Sequence, residues 1–382
     1  MPADVVIIGG GLEGLSIAYY LGESGMNVTV LERGELCAGG TAKSSGVVRC
    51  HYTVRSLAAM AWFALRQHEA LGAEVGFHQV GYLVGVGAEN AAALEHNVRM
   101  HQDLGIEVRI LDGEAARAHW PSIETADFAA FAYEPRSGYG DAYQLGMAYA
   151  RMARTAGVTI RRHTPVRSLL DKSPGVELVS GEILKADLVI LAAGPWSPGL
   201  AATIGLDLPI MAQREEIVMI RPGTELLYPC PVFGDLVSLQ YVKPEASGEL
   251  LWGNADHSNP EYADPDRYSN RASVDAAVEK MAHRFPGLPD PRITNSYAGV
   301  YDVTPDFNPI IDRIDEGLLV AAGFSGHGFK ISPAVGRLVA DMVAGDGSGI
   351  PGVDPGDFRL SRFAEDRPLM GPHTYTTIQG HV

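Results

Sequence analysis

The sequence has little cysteine: Cys37, Cys50 and Cys230 are the only three in 382 residues. Three thiols cannot build a disulfide framework, and their spacing matches no zinc pattern. No run of about 18 apolar residues is free of charge, so no transmembrane helix is expected. Met1 leads straight into a strand-like run with no basic n-region or cleavage site, so no signal peptide is expected and the chain reads as cytoplasmic and reduced. Positive charge is also short, with 30 Lys and Arg against 46 Asp and Glu and a formal net charge of -16. That balance argues against a nucleic-acid-binding or anionic-membrane surface, because both need basic stripes. It leaves room for a few cations inside a pocket. There is no internal repeat and no low-complexity tract.

What is present suits a large globular enzyme, with 46% hydrophobic and 20% charged residues. The length exceeds one ordinary core, so two domains or a composite unit are expected. Residues Asp4 to Ile8 (DVVII) form a short β-branched run, read as a buried parallel strand. Glycines follow, then apolar residues at helical spacing from Leu15 to Leu21, with Gly25 placed to end the helix. Asn27 to Leu31 reads as a second strand, completing a βαβ unit. Residues 54–72 and 142–156 have helical character. Residues 80–86, 128–133, 159–160, 165–170 and 317–322 have strand character, and Leu184 to Ala192 reads as one further strand. The stretch from Glu215 to Gly253, rich in β-branched and aromatic residues broken by Pro and Gly, suits an antiparallel sheet. Ser332 to Ala344 reads as a helix with Pro333 in its first turn. The fold class is therefore α/β. A Rossmann-like domain (1–80, 142–212 and 295–345) is combined with a discontinuous second domain built on an antiparallel sheet (81–141 and 213–294). An extended tail follows at 346–382.

Gly9, Gly11 and Gly14 form G-x-G-x-x-G. The first permits the tight turn out of the strand, the second lets backbone approach a pyrophosphate, and the third lets helix and strand pack closely. Leu12 and Glu13 open the helix, whose free N–H groups favour phosphate. Glu32, 18 residues after Gly14, ends the second strand, where a carboxylate can accept hydrogen bonds from a ribose. The pattern by itself does not separate NAD from FAD.

The chain resembles the D-amino-acid-oxidase-like flavoprotein superfamily, and within it the sarcosine oxidase and glycine oxidase branch. The resemblance runs nearly end to end. It rests on Gly9 to Gly14 with Glu32 and Arg33, on GTAKSSG (40–46), on AAGPW (192–196), on YDVTPD (301–306) with Pro309, and on GFSGHGFK (323–330). It implies FAD, with its pyrophosphate at the first glycine turn. It also implies that Thr41, Lys43, Ser44, Ser45 and Gly46 run along the flavin and that Val166 presents backbone to the adenine. Arg33, Ala193, Gly194 and Trp196 would lie beside the cofactor. Gly323, Gly326, His327, Gly328, Phe329 and Lys330 would approach the pyrimidine end of the ring, where reduction leaves negative charge and a glycine-rich helix start with a lysine would stabilise it. Without the resemblance, Gly326 to Gly328 reads as an ordinary strand-to-helix turn. Relatives with covalent flavin carry a cysteine where Gly299 stands or a histidine where Lys43 stands. FAD is therefore expected to be non-covalent, with His51 the remaining nucleophile nearby.

The resemblance further implies that Arg49 and Lys330 hold a substrate carboxylate. Arg supplies a bidentate fork and Lys a point charge, and anchoring the acid fixes the carbon that reacts. The plainer reading of Arg49 is a surface residue, or a partner of Glu32 or a flavin phosphate. Tyr301 either lies over the substrate, caps the carboxylate, or is core. His327 is a candidate base or holds the flavin ring. Tyr241, Trp252 and His257 are candidates to line the pocket, and Asp302 and Asp306 to hold the turn before Pro309. No metal is expected. The implied reaction is oxidation of the C–N bond of a small amino acid, preferably an N-substituted one such as sarcosine. Hydride goes to flavin N5, the imine hydrolyses, and O2 reoxidises the flavin to give H2O2. A lysine faces flavin N5 in monomeric sarcosine oxidase-like enzymes. The corresponding strand here carries Leu250, Leu251 and Trp252, with Lys243 read in a nearby turn. The alternatives are a dehydrogenase subunit passing electrons to a partner, a 2-hydroxy-acid dehydrogenase, and a flavin-binding protein without turnover.

Overall fold

The computed structural model describes residues 4–223, 230–257, 270–288 and 290–376. Its first layer is a six-stranded sheet in the order β18 (Ile310–Asp315), β19 (Leu318–Ala322), β12 (Leu188–Leu191), β1 (Asp4–Ile8), β2 (Asn27–Leu31), β8 (Thr159–Arg161). All neighbours are parallel except the β18–β19 hairpin. Parallel strands need both faces covered, which explains their continuous apolar character. Helices α1 (Leu12–Glu23), α2 (Arg55–Leu71), α5 (Ala142–Thr155) and α8 (Gly328–Ala344) supply one cover. A small sheet of β9 (Val166–Leu169), β10 (Gly175–Leu178) and β11 (Ile183–Lys185) lies on the other side with α6 (Ser197–Ala201).

The second layer is an eight-stranded sheet. Its order is β17 (Arg292–Val303), β13 (Met211–Arg221), β16 (Leu250–Asn254), β15 (Gln240–Pro244), β14 (Val232–Asp235), β4 (Tyr82–Val86), β6 (Ala130–Glu134), β5 (Arg109–Leu111). It is antiparallel apart from the β4–β14 pair. Helices α3 (Ala91–Asp103), α4 (Gly113–His119) and α7 (Arg271–Arg284) complete this part, and α9 (Ser361–Ala364) lies near the C-terminus. Two short strands, β3 (Val47–Val48) and β7 (Gly138–Tyr139), pair between the layers.

The α/β class and the antiparallel second sheet agree with the sequence reading. Several local readings differ. The run 184–192 is two strands, because Asp187 bonds to Asp4 and turns the chain from the small sheet into the large one. Pro333 is inside α8, which begins four residues earlier than read. The carbonyl of Phe329, which a residue with an N–H at 333 would have engaged, accepts the Ser332 hydroxyl at 3.1 Å. Helices α3, α4 and α7 were not anticipated. Asp112 and Asn270 cap the latter two, accepting from the amides of Ala115 and Ser273. On sheet membership, 295–303 belongs with the second sheet, since β17 pairs with β13 along its length. Residues 224–229, part of the stretch read as sheet, lie outside the described residues, as do 377–382 of the tail.

The described part of the tail is not simply extended. Arg362 on α9 is buried and forms a bidentate pair with buried Asp306, at 2.7 and 3.0 Å. Asp306 also accepts the amide of Leu369. All three cysteines are buried and unpaired in disulfides. Among the described residues no helix is long and apolar enough to cross a membrane.

Removing one partner of a buried ion pair strands the other charge without water. Arg362→Ala is expected to destabilise the fold by about 3–5 kcal/mol. Denaturant unfolding checks this, and a midpoint equal to wild type would show that the tail is not integral to the fold.

Candidate flavin and substrate site

The dinucleotide cradle is built by close backbone packing. Gly9 has φ +115° and sits against the carbonyl of Ala192, while Gly14 packs on the carbonyl of Gly9, so neither position has room for a Cβ. Gly11 differs, because its nearest neighbour is Thr41 Oγ1, 3.5 Å from where a Cβ would stand. That side faces the cradle itself. The α1 N-terminus has no side-chain cap from Gly11. The amide of Leu12 donates instead to Thr41 Oγ1 at 3.1 Å, tying the 40–46 loop to the helix. Glu32 accepts the amides of Gly10 and Gly34 at 2.8 and 2.7 Å, which orients its carboxylate at the end of β2. Arg33 stacks on Trp196 at 3.8 Å, bringing the turn after β12, with Ala193 and Gly194, beside the same end of the cradle. Val166 opens β9 just after Thr164, whose amide bonds to the Glu32 carbonyl. A glycine floor at the α1 N-terminus and a carboxylate at the ribose position fit the adenosine diphosphate half of FAD.

Loop 40–46 crosses between the layers. Ser44 accepts the Gly46 amide at 3.2 Å, and Gly46 is pressed against Gly140. Lys43 lies over the Tyr297 ring and against Gly299, so the two positions that differ from covalent relatives adjoin one another. Opposite them, Asp302 accepts the Gly323 amide at 2.8 Å and so shapes the turn before α8. Gly326, at φ +81°, abuts the Tyr301 ring. Tyr241 of β15 interacts with Ser45 of the loop and with Tyr301 of β17, which ties the loop to the second sheet. Gly328 leaves room for the carboxyl of Glu13, whose pKa burial raises to about 7, with Asp302 adding to the shift.

Arg49 follows β3 and Lys330 lies in the first turn of α8; both are buried. The Arg49 guanidinium lies over Tyr52, 4.4 Å from the ring centroid, and towards Tyr82 at 5.7 Å. Its hydrogen bond goes to the backbone carbonyl of His51. Lys330 Nζ donates to the carbonyl of Gly326 at 3.2 Å. Neither forms an ion pair among the described residues, so neither surface exposure nor pairing with Glu32 describes Arg49. Burial holds the Lys330 ammonium well below its usual range, and the Arg49 charge deepens the shift. His327 is likewise held neutral by burial and then by Lys330 and Arg49, with Nδ1 3.3 Å from the Tyr52 hydroxyl. Phe329 points away into the core against His68.

Sheet alternation decides the pocket candidates. Tyr241, Lys243, Leu251 and Gly253 share the face turned to the cleft, with Tyr241 opposite Gly253 and Lys243 opposite Leu251. Trp252 is on the other face, in the core with α7, and its Nε1 donates to Gln240. It therefore does not line the site. Lys243 is on a strand rather than in a turn, beside Tyr139 and 2.7 Å from Glu245. It lines a cavity of about 420 Å³ together with Thr41, Ser44, Ser45 and Tyr139. His257 bonds to Glu215 at 3.1 Å.

Behind Arg49 lies a group that sequence reasoning missed. His51, His101 and Glu134 are buried with candidate ligand atoms within 4.8 Å of one another. His51 bonds to Tyr375 at 2.7 Å, His101 to the Tyr52 carbonyl at 2.8 Å, and Glu134 to the Cys50 amide at 2.8 Å. One nitrogen of each imidazole and one carboxylate oxygen lack a partner. The adjacent guanidinium opposes a divalent cation here, while a buried water typically makes about three such bonds. Only the adjacency of His51 and Tyr52 to Arg49 hinted at this group in the sequence.

Residues 4–342 match the family described as DAO, FAD dependent oxidoreductase. The chain belongs to this family. It is 28% identical to glycine oxidase of Geobacillus kaustophilus over 89% of this chain and 92% of that one. It is 29% identical to sarcosine oxidase subunit beta of an Arthrobacter species, over 90% and 87%. The structure of Geobacillus kaustophilus glycine oxidase superposes with a TM-score of 0.81 at 25% identity, covering 94% of this chain and 99% of that one. L-Proline dehydrogenase from P. horikoshii superposes at 0.87 with 24% identity, covering 96% and 98%, and shares the fold. The match makes this chain an FAD-dependent oxidoreductase.

Because Gly11 is not packed, Gly11→Val should fold as wild type yet fill the cradle. Purification should give a colourless protein with an unchanged unfolding midpoint. A yellow variant would remove the pyrophosphate from this turn.

Proposed function

We propose that the protein oxidises the C–N bond of a small amino acid, preferably one with a secondary amine, and that dioxygen reoxidises its flavin. The observation that carries the reading is the pair of buried basic side chains at the mouth of α8, Arg49 and Lys330, neither of which forms an ion pair among the described residues. Such charges are costly to bury, and an anionic ligand relieves them. A carboxylate meets Arg49 as a fork and Lys330 as a point charge.

FAD, held dissociably by Gly9 to Gly14, Glu32, Arg33, Thr41 and residues 43–46, supplies hydride acceptance at N5 when bound. The chain's own residues do the remainder. Arg49 and Lys330 fix the acid end, so the carbon attached to nitrogen has one permitted position. Tyr301 and Tyr241 wall the site and are kept neutral by burial. Tyr52 holds the neutral His327 ring, and the Gly326–Gly328 turn presents amides at the α8 N-terminus, where added negative charge is stabilised. Lys243, on the cleft face opposite Leu251, brings a cation to the 41–45 loop and supports oxidase over dehydrogenase. Glycine oxidase and sarcosine oxidase subunit beta among the relatives support the amine assignment. The second of these is named as a subunit, which supports testing for a partner protein if oxygen proves slow.

Anaerobic mixing with N-methyl amino acids, D- and L-amino acids and 2-hydroxy acids should bleach the flavin with an amine, and air should restore colour with peroxide. Persistent bleaching in air would replace the oxidase by a dehydrogenase. Bleaching by hydroxy acids alone would replace the amine. Arg49→Ala should keep its FAD and raise KM by about 100-fold, the loss expected when one partner of a buried charge contact is removed. Loss of flavin instead would make Arg49 a cofactor residue. Acid precipitation should release the flavin, and colour retained in the pellet would show a covalent link.

A further inference from the structure

An amino acid arrives at neutral pH as a zwitterion. Its ammonium nitrogen has no lone pair, and a carbon attached to it cannot surrender hydride until a proton leaves. Some group in the closed site must take that proton, or the scarce free base must be captured from solution. His327 is a poor acceptor, because burial keeps it neutral and protonation would place a second charge beside the permanent one on Arg49.

Lys330 is in a different position. Its amine is buried, has no carboxylate partner among the described residues, and is satisfied only by the Gly326 carbonyl. The groups facing it leave it uncompensated. Arg49 approaches from the segment after β3 with a permanent positive charge. His327 stands three residues before it and is uncharged. His68 of α2, in ring contact with Phe329, is also uncharged, its pKa lowered to about 4. Glu13 of α1 lies at Gly328, and burial keeps its carboxyl largely protonated below about pH 7. His257, whose charge reaches His327, is already paired with Glu215. Desolvation with no counter-ion leaves an amine in its neutral form.

We propose that Lys330 is the proton acceptor that converts the zwitterionic substrate into free amine as it binds. This rests on the carboxylate clamp proposed above. The substrate's carboxylate brings the missing counter-ion to Lys330 at the same moment as its ammonium brings the proton. The nitrogen is separated from the carboxylate carbon by a single carbon, so a lysine bonded to the acid lies beside the amine. The step is R–NH2⁺–CH2–COO⁻ + Lys330–NH2 → R–NH–CH2–COO⁻ + Lys330–NH3⁺. One N–H bond breaks on the substrate and one forms at Nζ, no electron changes owner, and no proton enters or leaves the site. Both products are the forms needed, a nitrogen with a lone pair and an ammonium against a carboxylate.

The test separates the proton from the amine. (Methylthio)acetate has the shape of sarcosine but carries sulfur in place of nitrogen and brings no proton. Its binding to the FAD-loaded protein is measured by calorimetry at neutral pH in buffers of different ionisation enthalpy. Wild type should take up close to one proton per ligand, and Lys330→Gln, which keeps a donor but cannot titrate, should take up none. Anaerobic flavin reduction by sarcosine should then be nearly flat with pH in wild type below the amine's own pKa. In Lys330→Gln it should fall about tenfold per pH unit and recover at high pH. Binding without proton uptake by wild type, or a Lys330→Gln profile parallel to wild type, overturns the proposal and leaves the clamp standing. No heat from (methylthio)acetate in any buffer overturns both.

Discussion

The arrangement depends on the close approach of α1 and α8. Gly14 rests on the carbonyl of Gly9, Gly336 is pressed against Ser16, and the Ser16 hydroxyl donates to the Ser332 carbonyl at 2.8 Å. A side chain at Gly14 would push α1 off the β1 turn, and one at Gly336 would push α1 and α8 apart. Because they touch, their N-termini open towards one cleft from two sides, and two partial positive charges add there. The same contact brings the strand ends of the first sheet to the cleft. Loop 40–46 and the Gly323–Gly328 turn then fall into place, each pinned by a bond to the other layer.

The cleft is consequently short of negative charge. A chain with a formal net charge of -16 keeps Arg49 and Lys330 indoors without an ionic partner among the described residues. Elsewhere it pairs its buried cations, Arg362 with Asp306 and Arg284 with Asp235. The contrast within one molecule separates charges that hold the fold from basic groups that await a ligand. It also makes the tyrosines meaningful. Tyr52 and Tyr82 present ring faces to the guanidinium and stabilise it without neutralising it.

The first sheet was legible because local signals and global packing agree: β-branched runs, glycines at turns, and a carboxylate at the end of β2. The 184–192 run misled because its apolar character continues through a turn fixed by Asp4, far away in sequence. Helices α4 and α7 carried readable caps in Asp112 and Asn270, but their apolar faces are thin and were overlooked. In the site, Arg49, Lys330, Tyr301 and the loop residues were found because they belong to short contiguous motifs. Trp252 was misplaced by one residue of strand alternation, which reverses a side chain's face. Glu134, His101 and Tyr375 come from separate elements, and nothing local marks them as neighbours of Arg49.

Tyr375 is separated from His51 by 324 positions, yet its hydroxyl bonds to one nitrogen of that imidazole. Order of synthesis follows from this. Translation adds roughly 5–20 residues per second, so the dinucleotide cradle, Arg49 and Lys330 leave the ribosome before the segment that lies behind Arg49. During that interval Asp306 has no Arg362, and the histidine pair behind Arg49 is open to water. The nascent protein can therefore assemble its nucleotide cradle first and close its polar interior last, so a chain halted after α8 would carry every chemical group of the site inside an unfinished wall.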